Sequence, residues 1–268
     1  MQLWHSAIRC ADNFRVAGFR TGKESMRKGN TIFFSPRPRV RSYAAICGSK
    51  EKEGIVGSYA DITLSDDMYG ESTYEKAECK MLSNAIRLSV KKSGLEEADI
   101  DALFSGDLLN QIISASFAAR DFDFPFLGLY SACSTMSESM LLSAALISGG
   151  FAENCVAATG SHFATAERQY RYPLELGCTR PPQSQWTVTG AGACVISSQE
   201  GDIEIANATL GKVCDWGITD VNNMGAAMAP AAADTLLRHF SDTGTTPADY
   251  DVIITGDLGA LGSRILKD

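Results

Sequence analysis

A cysteine between a buried strand and a helix rich in small residues carries the clearest chemistry in this sequence. Cys133 lies in GLYSACSTMSES (128–139), where an apolar strand pattern passes into a Ser/Ala-rich helical pattern. Its sulfur falls at a helix N-terminus, where unpaired N–H groups and the helix dipole stabilise a thiolate or another anion. Small neighbours, including Ser134 and Thr135, let a ligand approach the backbone. Cys133 is thus a candidate nucleophile or ligand contact, and the alternative is a buried cysteine at a tight strand–helix junction.

Two arginines further along the chain add groups that bind carboxylates. Arg168 and Arg171 lie close to Tyr170 and Tyr172 in ATAERQYRYP (164–173). Guanidinium forks suit carboxylates, and flat side chains suit a ring, so this segment matches a planar aromatic dianion. The alternative is a solvated loop in which Arg168 pairs with a nearby acid such as Glu167.

His162 is the histidine with the most promising position. It follows a strand predicted at 155–160, and it could face the same strand-end crevice as Cys133. A base there could activate the thiol, and a donor there could bind a carboxylate. The alternative is a satisfied loop histidine. His239 falls on a predicted helix, where we expect it to be exposed.

Two aspartates end equivalent predicted strands. Asp107 is followed closely by Asn110 and Gln111, and this group could line a ligand pocket. For both Asp107 and Asp257 the alternative is a capping role at the following turn or helix. We favour capping for Asp257 and leave both possibilities open for Asp107.

The stretches between these residues alternate between strand and helix patterns. Apolar residues at helical spacing predict a helix over 73–92, ended by Gly94. Further helices are predicted at 114–122, 134–147 and 226–240. Strands are predicted at 43–47, 102–105, 126–132, 155–160, 187–198, 203–210 and 252–255, with 187–198 and 203–210 paired antiparallel. This alternation predicts an α/β fold with largely parallel strand pairing.

One stretch of the chain recurs 150 residues later. Residues 98–109 read ADIDALFSGDLL and residues 248–259 read ADYDVIITGDLG, without a gap. Gly94 and Gly244 fall in the same register. A repeat of this length is too long for a solenoid and predicts two similar halves. We expect a basic N-terminal extension at 1–29, a first half at 30–205 and an incomplete second half at 206–268.

Composition and charge exclude several classes of protein. The net charge of −8 gives no global electrostatic support for binding nucleic acid. No apolar run approaches the ~20 residues that span a bilayer, and the N-terminus lacks the apolar core of a signal peptide. The 8 cysteines form no CxxC pair, which argues against a zinc site and for a reduced intracellular compartment. We expect a soluble protein without a metal or a cofactor.

Specific motifs connect the chain to a known family. Strand–ACST–helix in a duplicated α/β chain resembles the thiolase and ketoacyl-synthase superfamily, in which a cysteine at this junction accepts the acyl group. More specifically, the chain resembles the stage V sporulation protein AD family of spore-forming bacteria. The resembling stretches are GDLLNQ (106–111), GLYSACST (128–135), SHFATAERQYRYP (161–173), WTVTGAGA (186–193), MGAAMAPAAADT (224–235) and TGDLGALGSRILKD (255–268).

The resemblance implies a thiolase-like, duplicated, layered α/β fold without established thiolase catalysis. It implies binding of dipicolinic acid, or its calcium chelate, during uptake into the developing spore and release at germination. The implied partners are the membrane subunits of the spore dipicolinate transport complex, which would hold the protein at the inner spore membrane. Thiolase-like proteins commonly dimerise through a strand of the first half, so a homodimer is expected.

The chain departs from the family in two ways. After the cysteine it reads Ser134-Thr135-Met136-Ser137, where the family order resembles Ser-Thr-Ser-Met. Family members also continue beyond Asp268, into strands that complete the second half and supply partners of the cysteine in condensing enzymes. We therefore expect exposed apolar surface in the second half and no condensing activity. The alternative function is an acyltransferase or 3-ketoacyl synthase-like enzyme with Cys133 as nucleophile.

Overall fold

The computed structural model describes residues 25–167, 170, 187–220 and 223–268. Its strands are β1 (Met26–Lys28), β2 (Thr31–Phe33), β3 (Arg39–Cys47), β4 (Ile62–Thr63), β5 (Ala102–Gly106), β6 (Phe126–Gly128), β7 (Asn154–Ser161), β8 (Gly190–Ser197), β9 (Ile203–Glu204) and β10 (Asn207–Thr209). Its α-helices are α1 (Tyr74–Ser93), α2 (Ile113–Ala119), α3 (Thr135–Ser148), α4 (Met224–Thr243) and α5 (Gly259–Lys267). None of the helices in these ranges is both long and apolar enough to cross a membrane.

The larger sheet is mixed, in the order β4-β3-β8-β7-β5-β6, with β9 beside β3. Parallel pairs join β3 to β4 and join β5 to both β6 and β7. Strand β8 lies between β3 and β7 and runs antiparallel to both, so β3 to β7 all point the same way. The predicted largely parallel pairing is therefore wrong at the centre of the sheet. An antiparallel neighbour needs no crossover helix, so strand–helix alternation does not reveal it.

The strand predicted at 203–210 is two strands that belong to different sheets. Strand β9 pairs with β3, whereas β10 pairs with β2 in a small antiparallel sheet ordered β1-β2-β10. The predicted antiparallel pair of 187–198 with 203–210 is therefore wrong. The N–H of Ile205 donates to the Pro38 carbonyl, and Ala206 accepts from Phe34, so backbone bonds hold the chain where it crosses between sheets.

The start of the described chain also belongs to this small sheet. Strand β1 pairs with β2 from Met26 to Lys28, so the last part of the predicted 1–29 extension is in a strand. Residues 1–24 lie outside the described residues.

Helices cover both faces of the larger sheet. The inner stripe of α1, including Leu82 and Ile86, packs with α2 against Leu103 and other strand residues. Helix α3 packs on the opposite face, where Met140 contacts the cluster that contains Phe104. Leu103 and Phe104, successive residues of β5, therefore pack against helices on opposite faces of the sheet, because side chains alternate between the two faces along a strand. The predicted layered α/β architecture is confirmed.

The internal repeat is also a structural repeat. Helices α1 and α4 are both 20 residues long, and their bounds lie 150 residues apart at each end. Each ends in a left-handed glycine, Gly94 or Gly244, because glycine adopts this conformation without steric cost. Each is followed by a 3₁₀ turn with a capping box, at Glu97–Asp99 and Pro247–Asp249.

The equivalence stops at the strand predicted for 252–255. These residues form no strand, although β5 occupies the equivalent place in the first half. Among the described residues no strand pairs with them, and a segment without ladder partners gains none of the pairing energy of a sheet. Val252 and Ile254 remain 63% and 50% exposed. Apolar surface is exposed at Leu237 and Leu261 as well, as the sequence predicts for this half.

His239 is buried, contrary to the prediction that it is exposed. Its ring nitrogens bond to the hydroxyls of Thr209, at 2.8 Å, and Tyr250, at 2.6 Å. The equivalent residue in α1, Ser89, is buried too. The repeat register therefore indicated a buried position, which the histidine satisfies by bonding both nitrogens.

Candidate functional site

The loops at one edge of the larger sheet contain unusual backbone geometry. Because β3 to β7 are parallel, the loops after β4, β5, β6 and β7 all meet at this edge. Among the described residues, four that are not glycine have φ between +48° and +58°: Tyr69, Gln111, Ile112 and Ala132. All four lie in these loops. Left-handed non-glycine residues cost free energy and cluster at functional sites, which makes this edge the candidate site.

Cys133 lies at this edge, in a 3₁₀ turn (Ala132–Ser134) that leads into α3. Its side chain is half-buried. Ser134 ties the turn together, because its N–H and its hydroxyl both donate to the Ser131 carbonyl, at 3.0 and 2.9 Å. Burial raises the pKa of the Cys133 thiol, and its own backbone N–H opposes this effect less strongly. Burial thus opposes the thiolate that a helix N-terminus favours.

Asp107 lies in the next loop, and backbone groups occupy its carboxyl. Its two oxygens accept from the N–H groups of Leu109, at 2.7 Å, and Ala115, at 2.6 Å. It thereby fixes the loop to the first turn of α2. Burial raises the pKa of Asp107 to about 6, although the hydrogen bonds from Ala115 and Leu109 lower it. Asn110 and Gln111 are exposed at the same edge.

Asp257, the equivalent residue in the second half, accepts from the Gly259 N–H at 2.9 Å. The capping role favoured for Asp257 from the sequence is therefore present.

His162 bonds to backbone groups on the α1 side of the sheet. Its Nδ1 accepts from the Ala164 N–H at 3.1 Å, which leaves Nε2 to donate to the Asp67 carbonyl at 3.0 Å. Its ring packs against Tyr74 at the start of α1, with centroids 4.8 Å apart. Burial lowers the pKa of His162, so the ring is neutral. Both nitrogens are occupied, and neither is free to act as a base towards Cys133.

The predicted ligands Arg168 and Arg171 lie outside the described residues.

Glu167 connects three loops of the edge. Its carboxylate accepts from the Tyr130 hydroxyl at 2.7 Å, and its N–H donates to the Leu108 carbonyl at 2.8 Å. The loops after β5, β6 and β7 are thus joined at one residue. We call residues 107–112, 129–134 and 162–167 together the three-loop edge. Sequence reasoning assigned Glu167 only as an ion-pair partner for Arg168, because nothing local reveals its contact with Tyr130.

A buried glutamate lies behind this edge. Glu78, on the inner face of α1, is fully buried, and its Oε2 accepts from the Thr165 hydroxyl at 2.5 Å. Burial raises the pKa of Glu78 to about 8, the Thr165 and Ser114 hydroxyls lower it, and the Asp107 charge raises it further. The Ser114 hydroxyl faces this carboxyl, but Glu78 Oε1 has no well-formed hydrogen bond. Sequence reasoning missed Glu78, although an acid inside the apolar stripe of a helix was the available signal.

These features define a class of protein. A layered α/β fold, with a cysteine between a parallel strand and a covered helix and with a repeated second half, is the architecture of thiolase-like condensing enzymes. The structure is similar to 3-oxoacyl-(acyl carrier protein) synthase III, FabH, from Xanthomonas oryzae pv. oryzae, with TM-score 0.60 and 14% identity over 87% of this chain and 81% of that one. The structure is also similar to cerulenin-bound OleA of Xanthomonas campestris, with TM-score 0.61 and 11% identity over 90% of this chain and 81% of that one. At these identities the likeness concerns the fold.

The family follows from sequence. The model of the Stage V sporulation protein AD family matches residues 28–268. Stage V sporulation protein AD of Bacillus subtilis (strain 168) is 47% identical over 248 residues, which cover 92% of this chain and 72% of that protein. The chain belongs to the stage V sporulation protein AD family, as the motifs predicted, and its fold is thiolase-like.

Proposed function

We propose that this sporulation protein binds dipicolinic acid, or its calcium chelate, at the three-loop edge, for uptake into the developing spore and release at germination. The observation that carries the proposal is the convergence of three of the family's motif stretches on this edge. GDLLNQ contributes the Asp107 loop, GLYSACST the Cys133 loop and SHFATAERQYRYP the Glu167 loop. The Glu167 bonds to Tyr130 and Leu108 support one site formed by all three.

Charge bears on which form of the ligand binds. Asp107 and Glu167 are acidic residues of the three-loop edge. Glu138 on α3 is a third acid close to this edge, because its carboxylate accepts from the Ser131 hydroxyl. Carboxylates repel a free dianion, whereas Ca²⁺ accepts carboxylate and carbonyl oxygens as ligands. Arg168 and Arg171 remain the proposed contacts for a free dianion. Binding with and without Ca²⁺ therefore separates two forms of the proposal.

We expect Cys133→Leu to weaken dipicolinate binding by about tenfold or more, because the bulkier side chain fills the half-buried turn at the start of α3. Titration calorimetry with dipicolinate, alone and with equimolar Ca²⁺, measures the effect. Cys214→Leu is the matched control, since Cys214 is also half-buried but lies outside the three-loop edge. If Cys133→Leu and Cys214→Leu bound dipicolinate with equal affinity, the ligand site would not include the turn at Cys133. If the unchanged protein did not bind dipicolinate, the proposed function would be overturned.

We also expect no acyl-enzyme at Cys133, contrary to the acyltransferase or ketoacyl synthase alternative. The thiol has a raised pKa and His162 is occupied by backbone groups, so the described edge supplies no activated nucleophile. Mass spectrometry after incubation with acyl-CoA tests this expectation. A stable thioester on Cys133, absent in Cys133→Ser, would favour the enzyme.

The proposal includes a homodimer formed through β6. This short strand ends the larger sheet and leaves its outer ladder groups unpaired. Leu127 on β6 and Ile113 and Phe117 on α2 are exposed apolar side chains beside that edge. We expect a dimer in sedimentation velocity that Leu127→Lys dissociates, with Phe151→Lys, at another exposed apolar residue, as control. A monomeric starting protein would contradict the dimer.

We further propose that membrane subunits of the spore dipicolinate transport complex bind this protein at the inner spore membrane. The exposed apolar side chains of the second half, among them Leu237, Val252 and Ile254, offer a surface for such a contact. Co-flotation with vesicles that carry the subunits, compared with lipid-only vesicles, tests this partnership.

A further inference from the structure

Glu78 is held in surroundings that fit a neutral acid. It lies between Ala77 and Met81 on α1, and all three side chains are fully buried. Its Oε2 accepts from Thr165, whereas Oε1 has no well-formed partner. A protonated Oε1 can donate towards the Ser114 hydroxyl. An ionised carboxylate would instead be a fully buried charge that hydroxyls face but, among the described residues, no cation faces, which is costly.

No described cation faces this carboxyl. Its neighbours on α1 include Lys80, but the Lys80 ammonium bonds to the Tyr69 carbonyl and to Glu71. Asp107, Glu75 and the Cys79 thiol interact electrostatically with Glu78. The described titratable groups that interact with these three in turn include acids and a neutral imidazole: Asp121, Glu167 and His162. Ionisation of Glu78 therefore adds a negative charge beside others and gains no counter-charge.

The bond from Thr165 anchors a loop of the candidate site. Residues 162–167 attach to α1 through Thr165, and to the other two loops through Glu167. Tyr130, which bonds to Glu167, lies three residues before Cys133. The contact at Glu78 is thus connected, through two hydrogen bonds and two short stretches of backbone, to the turn that carries the cysteine.

We infer that Glu78 is a positioning residue for the three-loop edge, and that loss of its proton favours opening of the 162–167 loop, because the buried carboxylate gains more from water than from the Thr165 hydroxyl. Burial raises the pKa of Glu78 from 4.5 to about 8 when the loop is closed. The closed loop therefore binds the proton more tightly than an open, hydrated one. The closed state of the 162–167 loop is therefore most favoured below pH 4.5, the ordinary pKa of glutamate. It becomes less favoured as the pH rises from 4.5 to about 8, and above about pH 8 the balance between closed and open loop changes little. This inference does not depend on the identity of the ligand.

Hydrogen exchange of the 162–167 amides in the full chain tests the inference. After correction for intrinsic exchange, we expect opening to increase about tenfold or more between about pH 5.5 and about pH 7.5. Glu78→Gln, which cannot ionise, is expected to show little change over the same range. The amides of α3 serve as an internal control. An equal pH dependence in Glu78→Gln and in the unchanged protein would overturn the inference.

Two further measurements keep the test decisive if Glu78→Gln folds poorly. Thr165→Val removes the hydroxyl but keeps the side-chain shape, and we expect it to raise exchange of the loop already at low pH. The ¹³C chemical shift of the Glu78 carboxyl reports its titration directly in the unchanged protein. A Glu78 that titrates like an exposed glutamate would refute the inference even without a variant.

Discussion

Replacing Gly106 with Ala is expected to destabilise the protein by about 3 kcal/mol and to displace the loop that carries Cys133. A Cβ on Gly106 would lie 2.1 Å from the Leu129 carbonyl oxygen and 3.1 Å from Thr135 Cγ2. The oxygen belongs to the backbone, so it cannot move aside by a change of rotamer. Leu129 begins the loop between β6 and α3, and its N–H donates to the Ser105 carbonyl. The clash therefore separates β5 from the loop.

Chemical denaturation measures this effect, and Gly192→Ala is the matched control. Gly192 lies in β8, and the nearest atom to a Cβ there would be the Ala44 carbonyl oxygen, at 4.0 Å. We expect Gly192→Ala to change the free energy of unfolding by less than about 1 kcal/mol. Similar effects from both substitutions would show that the close approach at Gly106 does not matter. We also expect Gly106→Ala to reduce dipicolinate binding, because the turn at Cys133 would shift.

Replacing Glu78 with Gln is expected to remove much of the pH dependence of stability between about pH 5 and pH 8. The pKa of Glu78 is raised from 4.5 to about 8 in the folded protein, chiefly by burial. The folded state thus binds this proton more tightly than the unfolded state, so the free energy of unfolding falls as the pH rises through this interval. Each unit of pKa difference corresponds to about 1.4 kcal/mol. Near pH 8 we expect the Gln variant to be the more stable protein by roughly 3–5 kcal/mol.

Urea unfolding at a series of pH values tests this expectation. Glu75→Gln is the control, because Glu75 lies one turn earlier on the same helix but is exposed. Its pH profile should run nearly parallel to that of the unchanged protein. If Glu78→Gln also ran parallel, the buried carboxyl would titrate normally and the assigned cause would be incorrect. Measurements below pH 5 provide a second check, since there the advantage of the variant should disappear.

Much of the local structure could be predicted because its causes lie close together in the sequence. Apolar spacing and Gly94 delimited α1, since a helix stripe repeats every three to four residues and a left-handed glycine ends the helix. The repeat around Asp107 and Asp257 indicated two related halves, and equivalent helices and caps follow from it. Cys133 was predicted at the start of a helix because the change from an apolar to a small-residue pattern is visible within ten residues.

The site was only partly predictable. The motifs indicated which loops take part, but the state of each side chain depends on neighbours that are distant in sequence. Glu78 meets Thr165 across 87 residues, and Tyr130 meets Glu167 across 37. His162 was considered a possible base, yet the Asp67 carbonyl and the Ala164 N–H occupy its ring. Residue spacing in the sequence does not identify these partners, because the contacts form only when β5, β6 and β7 end side by side.

By itself the sequence determined the family, the layered α/β class, the duplication and the positions of α1 to α4, because periodicity, caps and motifs lie within short stretches of sequence. Helix α5 (Gly259–Lys267) was not predicted. Tertiary structure alone decided the order of the strands, with β8 inserted antiparallel between β3 and β7 and with 203–210 divided between two sheets. It also decided which polar groups are buried. Strand pairing and burial are set by contacts between distant segments, and those contacts determine whether Cys133 is a protonated thiol and whether Glu78 carries a proton.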